Sequence, residues 1–308
     1  MTITRRTALT AGAALPLAGL IPAGVQAQTT PEEPTMTLFH TIPFGAMTLT
    51  VLKAGTAVQS PAHEIFGLNA SDEEFEEVSA ANFIPSDRAL GNFSPVVVQT
   101  GDEAILFDTG LSPDGTLAAL TQAGMSAGDI TKVVITHMHG DHIGGLSDGS
   151  TLTFPNAELI TGRVEMEAWL ASGGEAFDAK VRPFSDDFRL IEGGDEVAPG
   201  ITAKELFGHT PGMMGFMLRN DADQSLMLAV DFANHYVWSL GRPDWEVRFD
   251  MDKAGAIDTR QRVLAMLAEE KMPFIGYHMP FPSVGYVAKD DEGYRFVPES
   301  YQFELATR

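Results

Sequence analysis

Between Thr136 and His142 the chain reads Thr-His-Met-His-Gly-Asp-His, which places three imidazoles and one carboxylate within six residues. The segment before it, Lys132-Val133-Val134-Ile135, has the apolar, β-branched character of a buried strand, and Gly144-Gly145 follows. A strand that stops abruptly in such a loop must deliver several side chains to one small patch. Neutral imidazole and carboxylate suit zinc and similar first-row divalent ions. The competing reading is a chance cluster of histidines on a solvated loop. The chain has 8 histidines among 308 residues, so three of them meeting in one loop argues for a metal.

Composition narrows the remaining classes. The formal net charge is −22, and no basic stripe is present for a phosphate backbone, which excludes a nucleic-acid partner. There is no cysteine, so disulfides are absent and any metal must be held by nitrogen and oxygen. Residues 1–27 read as an export signal. Arg5-Arg6 begins a basic start, an Ala/Gly/Leu/Pro stretch follows, and Val25-Gln26-Ala27 offers a small-residue cleavage site. The paired arginines resemble a twin-arginine signal, whereas an ordinary secretory signal or a retained anchor is the alternative. Pro16 and Pro22 break the apolar stretch, which is short for a membrane span. The expected location is periplasmic or secreted, with no stable membrane anchor after processing. Residues 28–37 read as a flexible leader and 38–308 as the functional domain.

Along that domain, strands are predicted at 48–52, 157–160, 201–207, 215–218, 226–230 and 273–277. A hairpin is predicted from 94–100 and 103–107 around Gly101-Asp102, and another near the C-terminus from 285–287 and 294–297. Helices are predicted at 116–124, 163–170 and 253–269, the last with Ile257, Val263, Leu264, Met266 and Leu267 at helical spacing. Residues 70–77 read as an acidic surface helix or loop, and 173–187 as an insertion. Two mixed sheets packed together with helices outside satisfy this order, an α+β arrangement.

Four further polar residues stand at strand ends. Asp108 closes the second strand of the first hairpin and precedes Thr109-Gly110. His209 follows Leu206-Phe207-Gly208, Asp231 follows Leu228-Ala229-Val230, and His278 follows Ile275-Gly276-Tyr277. Singly, each is an ordinary turn or capping residue. Together they repeat the placement of the first cluster.

The order His-x-His-x-Asp-His, then His, Asp and His, with Asp108-Thr109-Gly110 ahead of it, resembles the metallo-β-lactamase superfamily from about Phe93 to His278. That resemblance implies an αβ/βα sandwich with a two-metal site at one edge of the sheets. It implies one ion on His137, His139 and His209, and a second on Asp141, His142 and His278. Asp231 would bridge them, and Asp108 would orient a ligand from outside. Two divalent ions about 3.5–4 Å apart share a water and make hydroxide near neutral pH. Asp141 and Asp231 are the expected catalytic carboxylates. Zinc is the favoured metal, with manganese, cobalt and iron as alternatives.

Within the superfamily the chain is similar to the branch holding the methyl-parathion-hydrolase-like phosphotriesterases and the acyl-homoserine lactonases. The resemblance therefore implies hydrolysis of a small neutral ester, first an N-acyl-homoserine lactone in quorum quenching. Alternatives are an aryl phosphotriester, a β-lactam, and a metal-binding protein without turnover. The resemblance also allows a homodimer, for which no apolar stripe in the sequence speaks. Expected substrate-wall residues are Phe93, Met213, His235, Tyr236, Trp238 and Phe281. Three departures from relatives stand out. Met213-Met214 follows His209-Thr210-Pro211-Gly212, Val230 replaces a frequent Gly, and Asn234-His235 stands where lactonases often carry a Tyr.

Overall fold

The computed structural model describes residues 36–290 and 292–301, so the expected export signal and most of the leader lie outside the described residues. From Thr37 on, the described residues belong to one compact unit. Sixteen strands form two seven-stranded sheets and a two-stranded ribbon among the described residues.

The strands of the N-terminal half are β1 (Phe39–Phe44), β2 (Met47–Leu52), β3 (Gly55–Gln59), β4 (Ala89–Phe93), β5 (Val96–Thr100), β6 (Glu103–Phe107), β7 (Lys132–Ile135), β8 (Glu158–Gly162) and β9 (Phe188–Ile191). The first sheet has the order β1-β2-β5-β6-β7-β8-β9, and β3 pairs with β4 as the ribbon. Pairing is antiparallel from β1 to β6 and parallel from β6 to β9. The second sheet runs β10 (Glu196–Ala198), β11 (Ile201–Glu205), β12 (Met214–Arg219), β13 (Ser225–Val230), β14 (Phe274–Gly276), β15 (Val284–Lys289) and β16 (Tyr294–Pro298), in sequence order. Only its β13–β14 pair is parallel, joined through a long helical crossover.

Seven α-helices lie among the described residues: α1 (Asp72–Ala81), α2 (Pro113–Gln122), α3 (Gly140–Ile143), α4 (Arg163–Ser172), α5 (Glu175–Lys180), α6 (Trp238–Gly241) and α7 (Lys253–Glu270). The architecture is the α+β sandwich expected, two mixed sheets face to face with helices outside. Side-chain alternation explains why the central strands read as unbroken apolar runs. Along β6, Ile105 and Phe107 face the second sheet while Leu106 turns outward. Along β7, Val134 faces inward and Val133 and Ile135 pack under the helices. The inner layer joins Leu49, Val98, Phe107 and Ile160 to Ala203, Phe216, Leu228 and Ile275 of the second sheet. Helix α7 covers that sheet's other face through Val263, Leu264 and Leu267 against Met227, Ala229 and Phe274.

Local chemistry sets several boundaries. The two-residue turn Gly101-Asp102 joins β5 to β6, with Gly101 at φ +57°. The acidic stretch at 70–77 turns into helix α1 at Asp72, started by a reciprocal capping box between Ser71 and Glu74. Helix α2 starts earlier than predicted because Pro113 fits the first helical turn. The insertion at 173–187 becomes α5 and a 3-10 turn at Arg182–Asp187. Strand β1 was not anticipated; it contains Pro43, which is tolerated because β1 is a sheet edge. The β3–β4 ribbon was also missed, since its Gly, Ala and Gln residues carry little strand signal.

Phe216 is fully buried at the centre of the sandwich, its ring 4.9 Å from that of Phe107. Phe216→Ala should lower unfolding stability by about 3–5 kcal/mol in urea titration. Leu170→Ala, on the exposed side of α4, should stay within about 0.5 kcal/mol.

Candidate metal centre

The ends of β6, β7 and β13–β14 and the turn after β11 lie together at one edge of the sandwich. Parallel pairing of β6 with β7 brings Asp108 and Thr136 side by side, with Asp108 N–H bonded to the Val134 carbonyl. Thr136 to His139 is an extended exit from β7, and the short helix α3 then turns Asp141 and His142 back over it. On the other sheet, Leu206 to Met213 forms a loop closed by a Leu206 N–H bond to the Met213 carbonyl. Parallel β13 and β14 end in Asp231 and, one turn later, His278.

Three sets of side chains each present one ligand atom within 4.8 Å of the others: His137, His139 and His209; His137, His142 and Asp231; and Asp141, His142 and His278. Asp231 sits among them. Its Oδ2 lies 2.9 Å from His278 Nε2, 3.4 Å from His209 Nε2 and 3.9 Å from His137 Nε2, and its Oδ1 lies 3.4 Å from His142 Nε2. Asp141 Oδ2 stands 3.4 Å from His278 Nε2 and 3.6 Å from His142 Nε2. All seven residues expected as ligands are therefore brought together. His137 Nε2, His142 Nε2 and Asp231 Oδ1 are buried with no hydrogen-bond partner. Leaving such groups unpaired costs about 1–3 kcal/mol each. Lone pairs of imidazole and carboxylate converging in this way fit a pair of divalent cations.

The outward edges of these rings are fixed. His142 Nδ1 donates to Asp108 Oδ2 at 2.8 Å, and Asp108 also accepts from Thr136 N–H and Oγ1–H, both at 2.8 Å. His278 Nδ1 donates to the Asn92 carbonyl at 2.9 Å. His209 Nδ1 donates to Asp250 Oδ1 at 2.8 Å, and Asp250 Oδ2 accepts from the buried Arg260 guanidinium at 2.8 Å. With the proton outward, the Nε2 lone pair of each ring faces the centre. His139 enters differently, with Nδ1 2.9 Å from His209 Nε2.

Two of these supports were invisible in the sequence. Asp250 lies in a loop before α7 and resembles any turn aspartate. Glu165, on α4, reads as an ordinary helix charge, although Trp169 one turn later shares its face. Glu165 is fully buried and accepts four bonds: Met138 N–H at 2.9 Å and Trp169 Nε1–H at 2.8 Å on one oxygen, and Thr210 Oγ1–H and Gly212 N–H, both at 2.8 Å, on the other. It clamps the loop of the first sheet to the loop of the second.

Electrostatics favour positive charge at the centre. Burial lowers the His142 pKa, but Asp231, Asp108 and Asp141 outweigh it and leave the ring well above its ordinary value. Burial likewise opposes, and Asp231 more than restores, the charge on His278. Burial and the neighbouring His209 push His139 down to about 3. Backbone strain accompanies the assembly. Val230 adopts φ +44°, a region that a β-branched residue enters at a cost of about 1–3 kcal/mol, so the site retains Val where Gly would relax.

A cavity of about 340 Å³ opens beside His278, lined by Lys53, Leu90, Asn234, His235, Tyr236 and Phe281 among others. Of the expected wall residues, His235, Tyr236 and Phe281 line it, and Phe93 packs edge-on against His278 at 5.7 Å. Met213 and Trp238 do not line it. Met213 is buried against the α7 layer, where β12 begins. Trp238 lies in a separate aromatic cluster with Phe66, Phe75 and Trp245, its Nε1–H bonded to Ser79 Oγ at 3.0 Å. The apolar surface of both is consumed by core packing. Part of the actual wall comes from the unanticipated ribbon, through Leu90 and Gly91.

Glu165→Gln should lower stability by about 1–3 kcal/mol in urea titration with chelator present, because an amide nitrogen then faces a backbone N–H that needs an acceptor. Glu167→Gln, on the exposed face of the same helix, should leave the midpoint unchanged.

Residues 92–269, more than half of the chain, match the family model described as the metallo-beta-lactamase superfamily. An N-acyl homoserine lactonase from Bacillus sp is 25% identical over 181 residues, covering 58% of this chain and 65% of the relative. The lactonase AiiA of Bacillus thuringiensis subsp. kurstaki is 30% identical over 112 residues, 36% of this chain and 42% of its own length. The chain thus spans less than two thirds of these relatives. Among solved structures, AidC, a dizinc quorum-quenching lactonase in complex with its product, aligns with TM-score 0.78 at 24% identity, covering 86% of this chain and 99% of that one. The hydrolase AbOPH aligns with TM-score 0.78 at 22% identity over 87% and 99%. These alignments establish a shared fold. With the family model matched across the loops that carry six of the seven converging side chains, the chain belongs to the metallo-beta-lactamase superfamily.

Proposed function

We propose that this protein is a two-zinc hydrolase that opens N-acyl-homoserine lactones. The observation that carries the reading is the convergence of seven nitrogen and oxygen ligands, one of which, His278, also lines a largely apolar cavity. The similarity to proteins named N-acyl homoserine lactonase supports the choice of substrate class. His137, His139 and His209 would hold one ion, Asp141, His142 and His278 the other, and Asp231 both. Asp231 is suited to the shared role because its two oxygens face four different imidazoles within 4 Å.

Bound at these positions, a pair of divalent ions supplies hydroxide near neutral pH and polarises an ester carbonyl. The chain supplies the rest. Asp108, Asp250 and the Asn92 carbonyl hold three rings in one tautomer, so no reorganisation is needed as charge develops. Asp141 is the most exposed of the clustered carboxylates, its side chain 21% accessible. In this reading it passes a proton to the leaving alkoxide, and Tyr277 Oη–H, bonded to its carbonyl at 2.5 Å, fixes the backbone beneath it. Phe66, Leu90, Pro280 and Phe281 give the cavity an apolar surface for an acyl chain. The Arg5-Arg6 segment supports action outside the cytoplasm, in the periplasm or secreted.

The test is a side-by-side measurement of kcat/KM on N-hexanoyl-homoserine lactone, a nitrophenyl phosphotriester and a cephalosporin. The lactone should give the highest value. A phosphotriester cleaved as fast or faster would make the protein an aryl phosphotriesterase, and a cephalosporin preference would make it a β-lactamase.

A further inference from the structure

The two outer metal sets share one plan. Each takes two ligands from the loop after β7 and one from the second sheet: His209 joins His137 and His139, and His278 joins Asp141 and His142. The ligand from the far sheet has to be registered against the other two by contacts distant in sequence. For His209 those contacts are Glu165, which grips both loops, and Asp250. His278 uses a different group. Its Nδ1 donates to the carbonyl of Asn92 on β4, and the side chain of the same Asn92 is bonded into the turn that follows His278. Asn92 Nδ2 stands 2.5 Å from Ser94 Oγ, 3.2 Å from Ser283 Oγ and 3.3 Å from the Met279 carbonyl. Ser94 Oγ lies 2.8 Å from Ser283 Oγ, and the Ser283 hydroxyl donates to the Met279 carbonyl at 2.9 Å. Asn92, Ser94 and Ser283 are all buried.

We propose that Asn92, Ser94 and Ser283 are positioning residues that set the occupancy of one ion, that on Asp141, His142 and His278, separately from the other. The inference rests on the two-ion reading of the centre and not on the choice of substrate. The direction of the bonds is fixed. The Met279 carbonyl only accepts, so Ser283 spends its proton there, Ser94 donates to Ser283, and both hydroxyls accept from the Asn92 amide. Asn92 is thereby held at two points of one turn, through its carbonyl to the His278 ring and through its amide to residues 279 and 283. Ser283 adopts φ +67°, where a residue with a side chain is uncommon, and its own N–H donates to the Pro280 carbonyl at 2.8 Å. The hydroxyl is therefore presented by a turn whose backbone is itself fixed. None of these bonds involves Glu165, Asp250 or His209, so the two clamps can fail one at a time. Ser94 and Ser283 also stay off the wall of the cavity that His278 lines, so removing their hydroxyls leaves that wall intact.

The test is calorimetric titration of the chelator-stripped full chain with zinc against a competing chelator. Wild type should bind in two steps. In Ser94→Ala/Ser283→Ala one step should weaken by roughly 10- to 100-fold, the usual cost of losing a ligand's outer support, and the other should stay within about threefold. His278→Asn should remove the weakened step, and adding the two serine changes to it should leave the remaining step within about threefold, because the serines act through His278. Ser79→Ala removes a buried hydroxyl bonded to Trp238 in the separate aromatic cluster and should leave both steps unchanged. If the double variant does not fold, Ser94→Ala alone is judged by the same pattern. The inference is overturned if the serine variant keeps both steps, if both weaken alike, or if the serine changes still weaken the remaining step beside His278→Asn. A wild type that binds in a single step defeats the two-ion reading and the inference with it, whereas two steps in wild type with no selective loss defeat the inference alone.

Discussion

Four hydrogen bonds into one buried carboxylate hold the two halves of this site together. His137 and His139 leave the first sheet, whereas His209 leaves the second, and neither loop is positioned by its own strand alone. Glu165 accepts from Met138, between the two histidines of the first loop, and from Thr210 and Gly212, just after the histidine of the second. A backbone bond from Met214 N–H to the Thr136 carbonyl at 3.0 Å runs in parallel with it. Burying an acid is costly, and burial pushes the Glu165 pKa up against the pull of these donors. That cost is accepted where two loops must be registered against one another to within a bond length, which ligand convergence requires.

The same logic extends outward. Asp108 fixes His142, Asp250 fixes His209, and Arg260 holds Asp250 while also donating to the carbonyls of Phe232, Pro243 and Trp245. Arg260 thereby links α7 to the segment following Asp231. The centre is a stack of charges, each oriented by the one behind it, and its innermost layer is a group of nitrogen and oxygen ligand atoms suited to divalent cations. The strained Val230 backbone and the orphan atoms His137 Nε2, His142 Nε2 and Asp231 Oδ1 share this region, as expected where local stability yields to function.

Much of this was legible in the sequence because the central strands are buried on both faces. Apolar runs such as Lys132–Ile135 identified themselves, and the first polar residue after each run marked the site. That is how Asp108, His209, Asp231 and His278 were found beside the cluster at 137–142. What failed to show had no local signature. Glu165 and Asp250 are buried by partners distant in sequence, so each looks like a surface acid. The ribbon of β3 (Gly-Thr-Ala-Val-Gln) and β4 (Ala-Leu-Gly-Asn-Phe) mixes small and polar residues with few β-branched ones, yet it supplies part of the cavity wall. Trp238 and Met213 were expected at that wall, but aromaticity and apolarity alone do not distinguish a wall from a core. His235 was a candidate from its spacing to Asp231.

The account stands on two cations at the seven converging side chains. Elemental analysis by plasma mass spectrometry on protein purified without chelator, then saturated with zinc and desalted, measures this directly. The prediction is close to two ions per chain in the wild type and a clear deficit in Asp231→Ala, whose missing carboxylate faces both ligand sets. One ion or none in the saturated wild type, or two retained in the Asp231 variant, would contradict it.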